Sequence, residues 1–396
     1  MKLNEGRIGR QEAASLAAMG LVSSAVFYPN AAEGYRYGNA NYFAAPLAFL
    51  LLLLLFFVIV RSMKRRGAEH LGAFLTDALG GLFGRIAALA VVAFLVLSAA
   101  IPLIQFQLLL KRFVFPDSLV STICLYFLPP MLLLACMGLE TLGRTARMLF
   151  WLFAIAFVLP MLIPISAFET YHLFPLPMEN PVSIVQSAVR MAAQGMPAVL
   201  ALLIYADGVQ GVRNAEKYGY IVILGGGLLV ILLQLCISLT FSYLDLREII
   251  SPLYRLLMSQ RSGVNMRLDK LVLFSWIAMG ILSVAGYLYA AALLLCRTTG
   301  IGDVRPPALS FSAVAASLAL LVSKNTNWTN TAATLIVDNL YLLALAPPLQ
   351  HFSERSVYRH EARTAPDTSD SLALGGRRVP EGEHRGRERV CTCHRL

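Results

Sequence analysis

Asn41-Tyr42-Phe43-Ala44-Ala45-Pro46-Leu47-Ala48-Phe49-Leu50-Leu51-Leu52-Leu53-Leu54-Leu55-Phe56-Phe57-Val58-Ile59-Val60 carries neither acid nor base before Arg61 ends it. A helix rises about 1.5 Å per residue, so roughly 20 such residues cross a hydrocarbon layer about 30 Å thick. The same absence of charge recurs over Ala13–Ala32, Ile86–Leu110, Ser118–Leu139, Met148–Phe168, Tyr218–Leu244 and Leu271–Cys296. Seven such runs cannot all be cores of a soluble domain. They are continuous rather than alternating, which selects helices over barrel strands. The fold class is therefore an all-α membrane protein.

Three weaker segments complete a set of about ten transmembrane helices. Pro306–Ser323 is free of charge, and Thr331–Leu349 is interrupted only by Asp338. Ser183–Ala206 is interrupted by Arg190 and by Gln194-Gly195-Met196-Pro197. The expected spans are 10–30, 42–60, 86–110, 118–138, 146–167, 183–206, 219–243, 271–296, 306–323 and 331–350. Composition agrees: 57% of residues are hydrophobic and 14% charged, where soluble domains sit near 25% charged. The net charge of +10 is scattered through loops and a tail, the pattern of a chain beside anionic lipid rather than nucleic acid.

Orientation follows from Lys and Arg in the short loops. With the N-terminus inside, Arg61, Lys64, Arg65 and Arg66, then Arg144 and Arg147, Arg213 and Lys217, and Arg297 and Arg305 all face the cytoplasm. The reverse orientation would export the most basic loop. Both termini are thus expected on the cytoplasmic side of the membrane. Residues 246–260 mix apolar and charged positions and read as an amphipathic surface helix. Residues 1–352 form the expected membrane domain, in halves of about 8–167 and 183–350. Residues 353–396 lack apolar periodicity and read as a disordered basic tail.

Function must be sought where the apolar runs are interrupted. Span 1 carries Gly20, Ser23, Ser24 and Ala25 before closing on Pro29, and span 6 carries Gln194, Gly195 and Pro197 in its middle. Pro removes a backbone donor and Gly weakens a helix. The two spans open the two five-span halves, and interrupted helices at matching positions point to an inverted-repeat transporter with its site at mid-membrane. The alternative is that these residues mark kinks or close packing. Of Gln105 and Gln107, which cannot share a helix face, one faces a cavity or an interhelical hydrogen bond. Ser283 and Gly286 let span 8 approach either a ligand or a neighbouring helix. Arg190 is either functional or snorkels to the interface. No nucleotide-binding loop, metal-ligand motif or nucleophile–base grouping lies in the spans, so neither an enzyme nor a cofactor is expected. The six cysteines show no disulfide framework.

Several local patterns resemble the spore germination receptor B-subunit family, a branch of the amino acid–polyamine–organocation superfamily. They are Ile8-Gly9-Arg10-Gln11 ahead of span 1, Gly138-Leu139-Glu140-Thr141-Leu142-Gly143-Arg144 entering span 5, and Phe174-Pro175-Leu176-Pro177 in an outer loop. A further run leads from Pro252 through Arg267-Leu268-Asp269-Lys270 to Trp276 and Tyr287-Leu288-Tyr289. Two places depart: Val22 and Ser24 stand where the family commonly has Gly-x-Gly, and no Asp or Glu lies between Glu179 and Asp207. The resemblance implies a LeuT-like fold of two inverted five-helix repeats. It implies an amino acid or similar small nutrient held between spans 1, 3, 6 and 8. The implied partners are a larger membrane subunit and a lipoprotein subunit. A permease of the same fold, or a scaffold subunit with a vestigial site, are the alternative readings.

Overall fold

The computed structural model describes residues 8–27, 41–162, 164–165, 168–174, 181–209, 211–249, 252–258 and 268–323. All belong to the unit Met1–His351. Among them the secondary structure is helical throughout. The long helices are α1 (Arg10–Phe27), α2 (Asn41–Arg66), α4 (Gly81–Phe113), α5 (Val120–Met137), α6 (Leu139–Leu162), α7 (Pro181–Ile204), α8 (Val212–Thr240), α11 (Leu268–Thr299) and α12 (Arg305–Ser323). Short helices α3 (Leu71–Leu79), α9 (Tyr243–Glu248) and α10 (Pro252–Met258) lie between them, with a 3-10 turn at Thr170–Leu173. Eight helices, all the long ones except α1, are long and apolar enough to cross a membrane, so the chain is a multi-pass integral membrane protein. The expected tenth span at 331–350, the tail from 353 and Pro29 lie outside the described residues.

Lipid-facing and core-facing sides separate as helical geometry requires. On α2, Leu50, Leu54 and Phe57 are 51–61% exposed, while Leu52, Phe56, Ile59 and Val60 are buried against the bundle. In hydrocarbon that exposed stripe needs no covering. The helices pack in two groups: α1, α2, α7 and α8 among themselves, and α4, α5, α11 and α12 among themselves. Helix α1 also packs on α6 and α11, so the groups meet along α1, α7 and α11. Helix α6 is tied to the second group by Trp276 of α11, which donates its indole N–H to the Ala156 carbonyl of α6 at 3.3 Å.

Most helices overrun the apolar stretches that announced them. Span 5, expected from 146, begins at Leu139, because the Glu140 and Arg144 side chains pair within the first turns and do not end a helix. The apolar run marks only the hydrocarbon-crossing part. Gly138, at φ 94°, supplies the left-handed turn that lets α6 follow α5 directly. The single surface helix expected over 246–260 is two helices, since Pro252 starts α10 at a position where no N–H is needed.

The expected interruption of spans 1 and 6 is corrected. Helix α1 stays helical through Gly20–Ala25, and α7 through Gln194–Pro197. Pro197 forfeits one backbone bond, whereas unwinding would strand several N–H and C=O groups among buried apolar side chains. The Ser23 hydroxyl donates to the Gly20 carbonyl at 2.9 Å and Ser24 to that of Leu21 at 2.5 Å, so both hydroxyls are satisfied within a helix that stays continuous.

At the end where α1 begins and α7 finishes, the helices are clasped. Ile8 N–H donates to the Gly208 carbonyl at 3.1 Å. Arg297 of α11, 6% exposed, donates to the terminal Ile204 carbonyl of α7 at 2.7 Å and lies 3.8 Å from Asp207. A guanidinium at a helix C-terminus meets both unpaired carbonyls and the negative end of the helix dipole. Nearby, His70 caps α3 by accepting the Ala73 N–H at 3.1 Å. Burial, then the Arg297 charge, lowers the His70 pKa to about 4, and Asp207 partly opposes this.

Two predictions follow from this packing. A Cβ on Gly84 would stand 2.6 Å from the Thr76 Cα and 2.7 Å from the Leu75 carbonyl oxygen, both backbone atoms, whereas Gly81 has nothing within 4 Å. Gly84→Ala is expected to destabilise by about 1–3 kcal/mol, and Gly81→Ala to be neutral or mildly stabilising; thermal unfolding in detergent would compare them. For His70, the unfolded chain takes up a proton near pH 6.5 while the folded chain resists it until about pH 4. The His70 contribution is therefore whole above pH 6.5 and is lost as pH falls through about 4. His70→Asn keeps a capping acceptor and should flatten that part of the melting-temperature profile; an unchanged slope would refute the assignment.

Candidate functional site

Three helices present small-residue stripes to one another. Ala13, Leu16, Ala17 and Gly20 on α1, Ala198, Ala201 and Leu202 with the following Tyr205 at the end of α7, and Ser283, Gly286 and Tyr287 on α11 surround a shared cavity. On α1 and α7 the spacing is i, i+3, i+4, i+7, which is one face of a helix. Small side chains there allow the backbones to approach closely. A Cβ on Gly20 would lie 2.9 Å from the Tyr287 hydroxyl and 3.2 Å from the Ala198 Cβ. The cavity is about 10 Å³, which is room for about one water.

Two tyrosine hydroxyls tie the three helices together through backbone oxygens. Tyr287 of α11 donates to the Gly20 carbonyl of α1 at 2.9 Å. Tyr205, following α7, donates to the Gly286 carbonyl of α11. Gly20 and Gly286 are where a missing side chain leaves the carbonyl open to such a bond. The Tyr205 and Tyr289 rings lie 6.0 Å apart beside this junction. The described residues lining the cavity include no Asp, Glu, Lys or Arg. Its polar lining is neutral: carbonyls, phenols and the Ser283 hydroxyl, which donates to the Met279 carbonyl of its own helix at 2.8 Å.

The residues singled out from the sequence fall into separate places. Gly20, Ser283 and Gly286 line the cavity together. Ser23 and Ser24 are buried on α1 but spend their hydroxyls on their own helix. Ala25 lies in the last turns of α1, and its side chain is outside the described residues. Gly195 is a packing contact: a Cβ there would stand 2.8 Å from Leu52 and 2.9 Å from Leu21. Gln194 and Pro197 are buried on α7 away from the cavity lining, and Gln105 is half-buried on α4. Gln107, not Gln105, is wholly buried, beside the Cys124 thiol of α5. Sequence reasoning passed over Tyr205 and the Ala198–Ala201 stripe. The legible signal was a run of small residues at helical spacing ending on an aromatic hydroxyl.

A second, larger void lies on the other side of α1. It is a cleft of about 380 Å³ between α1, α6 and α8, with Met279 of α11 at its floor. Among the described residues no group of three or more His, Cys, Asp or Glu is placed to hold a metal.

The arrangement matches known proteins in fold and in sequence. A Na+-coupled sialic acid symporter, solved in a substrate-bound outward-open state, superposes with a TM-score of 0.59 at 12% identity. The match covers 85% of this chain and 78% of that one, and it shows the LeuT-like fold. No individual curated protein sequence matches significantly. The signature of the spore germination protein family matches residues 18–329, which contain the cavity-lining residues from Gly20 to Tyr287 but not Ala13, Leu16 and Ala17. Spanning most of the sequence, that match places this membrane permease-like chain in the spore germination protein family.

Proposed function

We propose that this chain is the membrane subunit of a spore nutrient germinant receptor, and that it receives an amino acid or similarly small nutrient where α1, α7 and α11 converge. The observation that carries the reading is the pair of tyrosine-to-carbonyl bonds across a cavity with room for about one water. Those bonds close the junction without using charge. A zwitterionic ligand can replace them group for group. Its ammonium donates to the Gly20 and Gly286 carbonyls, and the released Tyr205 and Tyr287 hydroxyls donate to its carboxylate. Hydrogen bonds are conserved while the helices separate, so the ligand binds the wider arrangement better and shifts the equilibrium toward it.

The neutral lining selects among nutrients. With no charged side chain among the described residues lining the cavity, a ligand of net charge would bury that charge unpaired, which is expensive. A zwitterion of zero net charge, or a neutral polar molecule, fits. The two helix groups supply the moving parts: α1, α2, α7 and α8 against α4, α5, α11 and α12. In the spore this subunit would sit in the inner membrane with both termini cytoplasmic, beside a larger membrane subunit and a lipoprotein subunit.

Spores carrying Gly20→Val test the reading, because the added side chain fills the junction. Their response to the cognate nutrient is expected to vanish while the subunit is still inserted. An unchanged dose–response would overturn the binding site. Tyr287→Phe removes one clasp of the closed form, about 1 kcal/mol or roughly fivefold, and should raise nutrient-independent germination. Robust uptake of labelled amino acids into proteoliposomes by the isolated chain would instead favour the permease.

A further inference from the structure

The cleft behind α1 has a polar end and an apolar depth. Its three walls, α1, α6 and α8, all begin at the same face of the bundle. At that end stand Gln11, Arg147 and Tyr218; deeper in, Val22, Phe157 and Leu229 close it. From Gln11 to Val22, from Arg147 to Phe157 and from Tyr218 to Leu229 each measures about 15–17 Å of helix at about 1.5 Å per residue. That depth is about half of a 30 Å hydrocarbon layer, which is one leaflet. The cleft is lined at its lip by exposed Ile221 and Gly225 and half-buried Phe150, on the sides of α6 and α8 that carry lipid-exposed residues such as Ile155 and Leu224.

Arg147 is the one charged side chain among the described residues lining the cleft. The acids on the three walls at this end are already committed: Glu140 of α6 pairs with Arg144, Glu216 of α8 pairs with Lys64, and Glu12 of α1 accepts the Gly9 N–H at 2.7 Å. Arg147 itself is exposed and forms no ion pair among the described residues. Water is a poor filling for an apolar void of about 380 Å³ that opens on hydrocarbon. A free anion would satisfy Arg147 and leave the depth empty, and a neutral acyl chain would do the reverse. We infer that the cleft between α1, α6 and α8 is a binding site for an anionic phospholipid, with one acyl chain in its depth and the headgroup phosphate on Arg147. The Tyr218 ring at the mouth suits the headgroup level, where tyrosines gather. The lipid would rest on the Ser15, Met19 and Val22 face of α1, opposite the face that lines the central cavity. It would therefore bear on α1 without touching the junction.

Native mass spectrometry of the full chain in detergent tests this with phosphatidylglycerol and with phosphatidylcholine of the same acyl chains. One phosphatidylglycerol per chain is expected to be retained, at least fivefold more strongly than phosphatidylcholine, with a rise in melting temperature. Arg147→Gln should abolish that preference, while Arg144→Gln, altering a neighbouring exposed arginine, should leave it unchanged. Gly225→Leu adds bulk into the cleft where nothing stands within 4 Å, so the fold is kept, and it should weaken retention of both lipids. The site is overturned if the two lipids are retained equally, if both arginine changes act alike, or if Gly225→Leu changes nothing. Stabilisation by inorganic phosphate or by oleate alone, equal to that by phosphatidylglycerol, would also overturn it.

Discussion

In hydrocarbon every backbone N–H and C=O must find its partner within the protein, and this requirement shapes each feature of the bundle. It keeps α1 and α7 helical where glycine, serine and proline accumulate. It also draws short polar side chains back onto their own helices. Ser23, Ser24, Ser283 and Ser312 donate to carbonyls three or four residues earlier, and Thr240 does the same. Such side chains are too short to reach a neighbour while the helix offers an acceptor within reach. Links between helices therefore fall to long side chains. Tyr205, Tyr287, Trp276 and Arg297 each carry a donor far enough from the backbone to reach a carbonyl on another element.

That division of labour bears most on α1. One of its faces meets α7 and α11 across a cavity that holds about one water. Its opposite face borders the larger cleft with α6 and α8. Its N-terminal approach is tethered at Ile8 to the turn after α7, and its middle at Gly20 to Tyr287. Between these voids α1 also packs closely on α6, α7, α8 and α11, so the proposed rearrangement would exchange contacts with all four. In the proposed mechanism, a ligand that exchanges its own hydrogen bonds for those tethers would act on this helix first.

Absence of charge over hydrocarbon-length runs was sufficient to give an all-helical membrane protein, because solvent transfer depends on composition and length alone. Nine of the ten expected spans are long helices among the described residues, and their cores sit where the apolar runs put them. The ends were less legible. Helices continue past Arg61 to Arg66 and back to Leu139, since charged side chains end a membrane crossing but not a helix. Breaks at spans 1 and 6 were misread for a related reason. Propensity describes an isolated segment, and these two are enclosed by others that hold them regular.

For the candidate site, Gly20, Ser283 and Gly286 could be picked out from the sequence as places of close helix approach, because a small residue in an apolar run marks such approach whatever stands opposite. Which helix stands opposite is a question of tertiary structure. Only the packed bundle brought Tyr287 to Gly20 across 267 positions and Tyr205 to Gly286 across 81. Only packing, too, made Gly195 a contact for Leu21 and Leu52 rather than part of a chamber. Periodicity along one helix fixes which residues share a face, and not which neighbour that face meets. The bilayer crossing was thus written in the order of residues, while the pairing of hydroxyls with carbonyls was decided by how the helices stack.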